Sequence, residues 1–135
     1  MMPPLPIAVL CVPHPVNWIA GWGLVLAAFL SGAGIGLFFH REGFLGGYAS
    51  FPRRTLRLGH IALAALGMMN VLFALSPLPA GWVSLAAGGL FMAGAVLMPA
   101  VCFLTAWRKS LRHLFALPVV SLVLAVVFAL VGGLS

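Results

Sequence analysis

Acidic side chains are nearly missing from this 135-residue chain: Glu42 stands alone against seven Lys and Arg. Charge of either sign is also confined, because residues 1–40, 58–107 and 113–135 contain no Lys, Arg, Asp or Glu. Charged residues make up 6% of the chain and hydrophobic ones 64%, whereas soluble domains carry about 25% charged residues. A soluble globular fold is excluded on that ground. Nucleic acid is excluded as a partner too, since the net charge of +6 comes from short clusters that border apolar runs, a pattern that belongs to membrane topology.

The shortage of acids limits the chemistry. The one carboxylate lies in a loop, no acid falls inside an apolar run, and no nucleophile stands beside a matching base. A Gly-rich phosphate loop followed by Lys is missing as well, so an autonomous hydrolase or transferase is not expected. Cysteines are scarce: Cys11 and Cys102 should lie toward opposite membrane faces, which argues against a disulfide and leaves the redox compartment unread. The N-terminus MMPPLPIAVLCVPHP has no basic n-region, and Leu10 before Cys11 is unlike a lipoprotein cleavage site, so this segment is expected to stay attached.

What the chain does have is long apolar runs, with a mean hydropathy of +1.21. A membrane-spanning helix takes roughly 20 apolar residues, and the runs predict spans at about 18–39, 55–75, 82–107 and 111–134. The fold class is therefore an all-α membrane protein, four transmembrane helices in an up-down bundle. Residues 18–135 form its single domain. Residues 1–17, with Pro3, Pro4, Pro6, Pro13 and Pro15, read as an extended extracytoplasmic lead-in, because proline removes backbone donors. Trp18, Trp22, Trp82 and Trp107 stand near span ends, where indoles are enriched.

Local signals refine the spans. Ala28, Gly32 and Gly36 recur every four residues, a small-residue stripe that lets another helix come close. Thr55 and Ser110 are placed to cap the second and fourth helices. Pro99 is expected to kink the third. If Pro118 instead takes the first turn of the fourth, Leu111 to Leu117 becomes a short interfacial segment and the remaining span is barely long enough.

The basic residues then fall on one side, in a first group ending Arg53, Arg54 and Arg57 and a second of Arg108, Lys109 and Arg112. The positive-inside rule makes that side cytoplasmic and both termini extracytoplasmic, in keeping with a bacterial inner membrane. Anionic lipid headgroups are the expected partners of these cations. Arg53-Arg54-Thr55-Leu56-Arg57 also reappears as Arg108-Lys109-Ser110-Leu111-Arg112, identical or conservative at all five positions. Gly21-Trp22 and Gly81-Trp82 repeat as well, and together these matches suggest two duplicated helical hairpins.

Polar groups inside a bilayer are costly and become candidates for function. His60 lies about one turn inside the second span and Cys102 at a similar depth on the third; His40, His113 and Met98 fall on the same cytoplasmic half. Such a set could hold a b-type haem through His60, His40, His113 or Met98, or copper through His60 and Cys102. The competing reading of His60 is a hydrogen-bonded structural histidine. Asn70, near mid-membrane, is read as an interhelical hydrogen bonder or a pathway residue, and Cys11 with His14 as a minor external metal pair.

These features rank an accessory or assembly subunit of a larger membrane complex first, respiratory or otherwise redox-active, with other membrane subunits or a second copy as partner. A small four-helix transporter or channel ranks second. Small multidrug transporters need a carboxylate in the first span and fluoride channels a Ser-Thr-Phe signature in the third, and neither is present. A haem or pigment protein in its own right, with His60 as ligand, ranks third.

Overall fold

Apolar length dictates helices here, because within hydrocarbon a backbone must satisfy its own hydrogen bonds. The structure, a computed structural model that describes residues 12–134, contains four such helices. Helix α1 spans Pro15–Phe39, α2 Phe51–Ala74, α3 Trp82–Trp107 and α4 Ala116–Leu134. Their length and composition suit membrane crossing.

α1 begins earlier than its apolar run suggested. Pro15 occupies the first turn, where its missing N–H costs nothing and its fixed φ suits the helix. Asn17 is thereby drawn out of the lead-in and into a helix. Between α1 and α2 the chain reverses through a 3₁₀ turn, Phe44–Gly46. Leu45 there has φ 54°, followed by Gly46 at 85° and Gly47 at 92°; only the glycines accept that region without strain.

The cap of α2 is Ser50, whose hydroxyl accepts the Arg53 N–H at 3.4 Å. Thr55, the expected cap, sits one turn inside and donates to the Phe51 carbonyl at 2.8 Å. Pro52 explains the shift, since proline is favoured in the first helical turn and pulls the start of the helix N-terminal to the arginines. α3 runs unbroken through the buried Pro99. It stops at Arg108, which is extended, and Lys109–Phe115 then form a 3₁₀ segment without a side-chain cap. Ser110 lies inside that segment and caps nothing. Pro118 falls in the first turn of α4, whose 19 residues rise about 28 Å, close to the thickness of a hydrocarbon core.

Packing follows chain order. α1 lies on α2, α2 on α3 and α3 on α4, while α1 only brushes α3 and has no substantial contact with α4. α3 is the most enclosed helix and α1 the least. The α1/α2 seam is closest at Gly21 and Gly67. A Cβ on Gly21 would stand 2.7 Å from the Gly67 carbonyl oxygen, and one on Gly67 2.8 Å from that of Gly21, so the backbones themselves touch. Of the predicted stripe, Ala28 is buried and Gly32 faces His60, but Gly36 faces open space. Phe73, Ala87, Phe91 and Ala125 form the core joining α2, α3 and α4.

The two hairpins are not structurally equivalent. Arg53 to Arg57 is α-helical, whereas Arg108 to Arg112 is the extended residue and the 3₁₀ segment. The shared pentapeptide thus takes two backbones.

Candidate functional site

Three polar regions hold the residues that matter for a site, apart from the buried Thr105 and the Ser121 hydroxyl that donates to the Leu90 carbonyl at 2.8 Å. The first joins α1, α2 and α3 toward the cation-free end. Asn17, in the first turn of α1, donates from Nδ2 to Asn70 Oδ1 at 2.9 Å and to the Gly88 carbonyl at 3.0 Å. Asn70 in turn donates to Leu66 at 3.0 Å and Phe91 at 3.4 Å. Both amides are buried, Asn70 almost completely. Because both Asn17 bonds end on acceptors, its amide orientation is fixed: nitrogen inward, Oδ1 against the Cα of Gly88. A Cβ there would lie 2.9 Å from that oxygen.

Asn70 is four residues from the end of α2, or about 6 Å along the axis. It therefore sits near the cation-free end, not at mid-membrane, and it is an interhelical hydrogen bonder. Its partner Asn17 escaped the sequence reading because prolines flank it on the N-terminal side. Pro15 marks a helix start there, and that was the available signal. Nearby, the His14 ring stacks on Phe73 with centroids 4.7 Å apart, and its backbone N–H reaches the Ala74 carbonyl at 3.4 Å. Cys11, proposed as its metal partner, lies outside the described residues.

The second region is His60, half-buried on α2 and turned toward α1. Its Nδ1 lies 3.2 Å from Ser31 Oγ, which also donates to the Ala28 carbonyl at 3.0 Å. When the hydroxyl proton is directed to Ala28, it is the His60 tautomer with a proton on Nδ1 that completes the pair. The ring covers Gly32: a Cβ on that glycine would stand 2.6 Å from Cε1. His60 thus fills the α1/α2 seam.

The other predicted ligands do not join it. Cys102 packs against Gly59, where a Cβ would meet Cys102 Cβ at 3.0 Å. Gly59 and His60 are consecutive and so point about 100° apart on the helix. Cys102 therefore meets α2 on its α3 side, and His60 meets α1. His40 and His113 are exposed beyond the ends of α1 and α4, and Met98 is half-buried on α3. Among the described residues no three His, Cys, Asp or Glu side chains form a group able to hold a metal. The convergence that similar depth suggested fails on helical phase.

The third region is the basic end. Arg53 is buried despite its charge. Its guanidinium donates to the Phe39 carbonyl at 2.7 Å, which ends α1, and lies over the rings of Phe39 at 4.3 Å and Tyr48 at 5.4 Å. Arg57 lies over the same Tyr48 ring at 4.5 Å. Facing electron-rich rings replaces part of the lost hydration of a cation. Lys109 Nζ, from the second cluster, is 5.6 Å from the Phe51 ring of the first, so both clusters share one end. Arg54, Arg108, Lys109 and Arg112 are exposed there.

No family model matches the chain, and no curated protein or solved structure is detectably similar to it.

Proposed function

We propose that the chain is an accessory or assembly subunit of a larger integral membrane complex, redox-active in character, in a bacterial inner membrane with the basic end cytoplasmic and both termini outside. The orientation is supported by the union of both basic clusters at one end. There the exposed cations are free to meet anionic headgroups, while Arg53 and Arg57 serve the fold.

One observation carries the subunit reading. Gly23 and Gly34 of α1 have nothing within 4 Å of where a Cβ would stand. With Ala27 they lie within about 40° of one another on the helix, since each residue turns 100°. A helix glycine costs about 1 kcal/mol relative to alanine, and against lipid it gains nothing. Against another helix it permits backbone contact. α1 also rests on the rest of the fold along one flank only. The occupant of the open flank is another membrane subunit or a second copy of the chain.

Purification in mild detergent with native mass measurement tests this. A complex larger than the chain, reduced to the monomer by Gly34→Leu with α-helical content retained, is the expected result; a wild-type chain that migrates alone and conducts ions in liposomes would establish the transporter reading instead. The redox character rests on His60 alone as a single ligand, because Cys102 and the other histidines do not converge with it. A Soret band or bound copper in the purified complex is its test, and a complex without either refutes it.

A further inference from the structure

We infer that the cleft between the start of α1 and the outer half of α3 is a binding site for an uncharged, lipid-soluble hydroxylated ring, a quinol headgroup. The cleft measures about 290 Å³ and is lined by His14, Asn17, Ser84, Leu85, Gly88 and Met92 among others. Both walls belong to this chain, so the inference stands independently of any partner subunit.

Its polar lining is an acceptor set. Asn17 is 6% exposed, and both hydrogens of its amide are committed inside the protein. Its Oδ1 accepts nothing from the described residues. Ser84, also buried, gives its hydrogen to the Gly81 carbonyl at 3.0 Å and keeps only acceptor capacity. A third polar atom nearby, His14 Nε2, is buried without a partner among the described residues, and it can accept or donate according to its tautomer. Acceptors left unmet at the edge of an apolar medium cost free energy, and a ligand that donates hydrogens recovers it.

The remaining lining narrows the class. No Lys, Arg, Asp or Glu lines the cleft, so an ammonium group would lose hydration without gaining a counter-charge. A neutral hydroxyl suits the acceptors. Gly88 and Gly89 present a flat wall, and the Met92 thioether favours contact with an aromatic ring. The volume is at the lower edge of small-molecule sites, enough for a substituted ring. Leu85 and Gly89, both exposed, open the cleft sideways.

The test uses the full chain in lipid nanodiscs, titrated with a short-tailed benzoquinol held reduced and, separately, with its quinone. Binding is followed by quenching of the chain's tryptophan fluorescence and by equilibrium dialysis. The quinone offers only acceptors, so saturable quinol binding should exceed quinone binding by about tenfold or more, the factor that about one net hydrogen bond contributes. Gly89→Phe fills the cleft from its open rim, where a Cβ meets nothing within 4 Å, and should abolish binding while leaving thermal stability unchanged. Equal affinity for both redox forms, quinol binding that survives Gly89→Phe, or no saturable binding would each overturn the assignment.

Discussion

At the scale of single residues, the decisive property is what a side chain would strike. Gly21 and Gly67 face each other's carbonyl oxygens at 2.7 and 2.8 Å, and a backbone cannot step aside as a side chain can. Gly21→Ala and Gly67→Ala should each destabilise by about 1–3 kcal/mol, the range for overpacked sites. Gly59→Ala meets chiefly the Phe103 ring, at 2.6 Å, which can rotate, so its cost should be smaller. Equilibrium unfolding in mixed micelles ranks the three; a Gly59 variant as damaged as the other two would contradict the geometry. Asn70→Leu removes the acceptor of Asn17 and leaves a buried amide short of a partner. Interhelical hydrogen bonds in membranes are worth about 0.6–2 kcal/mol, and the same unfolding measurement should register a loss in that range.

At the scale of elements, the loop between α1 and α2 is where local chemistry and backbone disagree. Leu45 adopts φ 54°, a conformation that costs a residue with a Cβ about 1–2 kcal/mol. Leu45→Gly should recover part of that and raise the midpoint of thermal unfolding. Ser50→Ala should do the opposite by about 1 kcal/mol, through loss of the α2 cap and of the 2.6 Å bond to the Leu45 carbonyl. The pair of variants separates strain from capping.

Element positions were largely legible in the sequence, because apolar length alone determines a span. Helix ends were less so. Thr55 looked like a cap because it sits where the apolar run resumes after Arg54, yet Pro52 and Ser50 start the helix a turn earlier. Pro118 does stand in the first turn of α4, where proline belongs, but the segment before it is 3₁₀ over Lys109–Phe115 and the helix already starts at Ala116. The candidate site was legible in part. Asn70 and His60 were visible as polar residues in apolar runs, but their partners Asn17 and Ser31 lie far away along the chain. Depth can be counted from a sequence, whereas the phase that turned His60 to α1 and Cys102 toward Gly59 depends on which helices are neighbours.

At the scale of the whole molecule, an open row of four helices with all its cations at one end has a sidedness that can be measured. Ala49 and Ala80 are both exposed, in turns at opposite ends. In a chain whose cysteines are replaced, Ala80→Cys should react with a membrane-impermeant maleimide in intact bacterial cells. Ala49→Cys should react only after lysis. Reversed labelling would invert the proposed topology, and equal labelling of both would mean dual insertion.

The Asn17–Asn70–Gly88 contact also bears on biogenesis. Its members come from the first three spans, so it cannot be complete while α1 alone, or the first hairpin alone, is in the bilayer. The Asn17–Asn70 bond joins α1 to α2 and needs only the first hairpin, whereas the bonds to Gly88 and Phe91 need the third span. With the third span in place the contact fastens three helices together. The fourth helix adds no member to this contact, which locks the other three at the cation-free end.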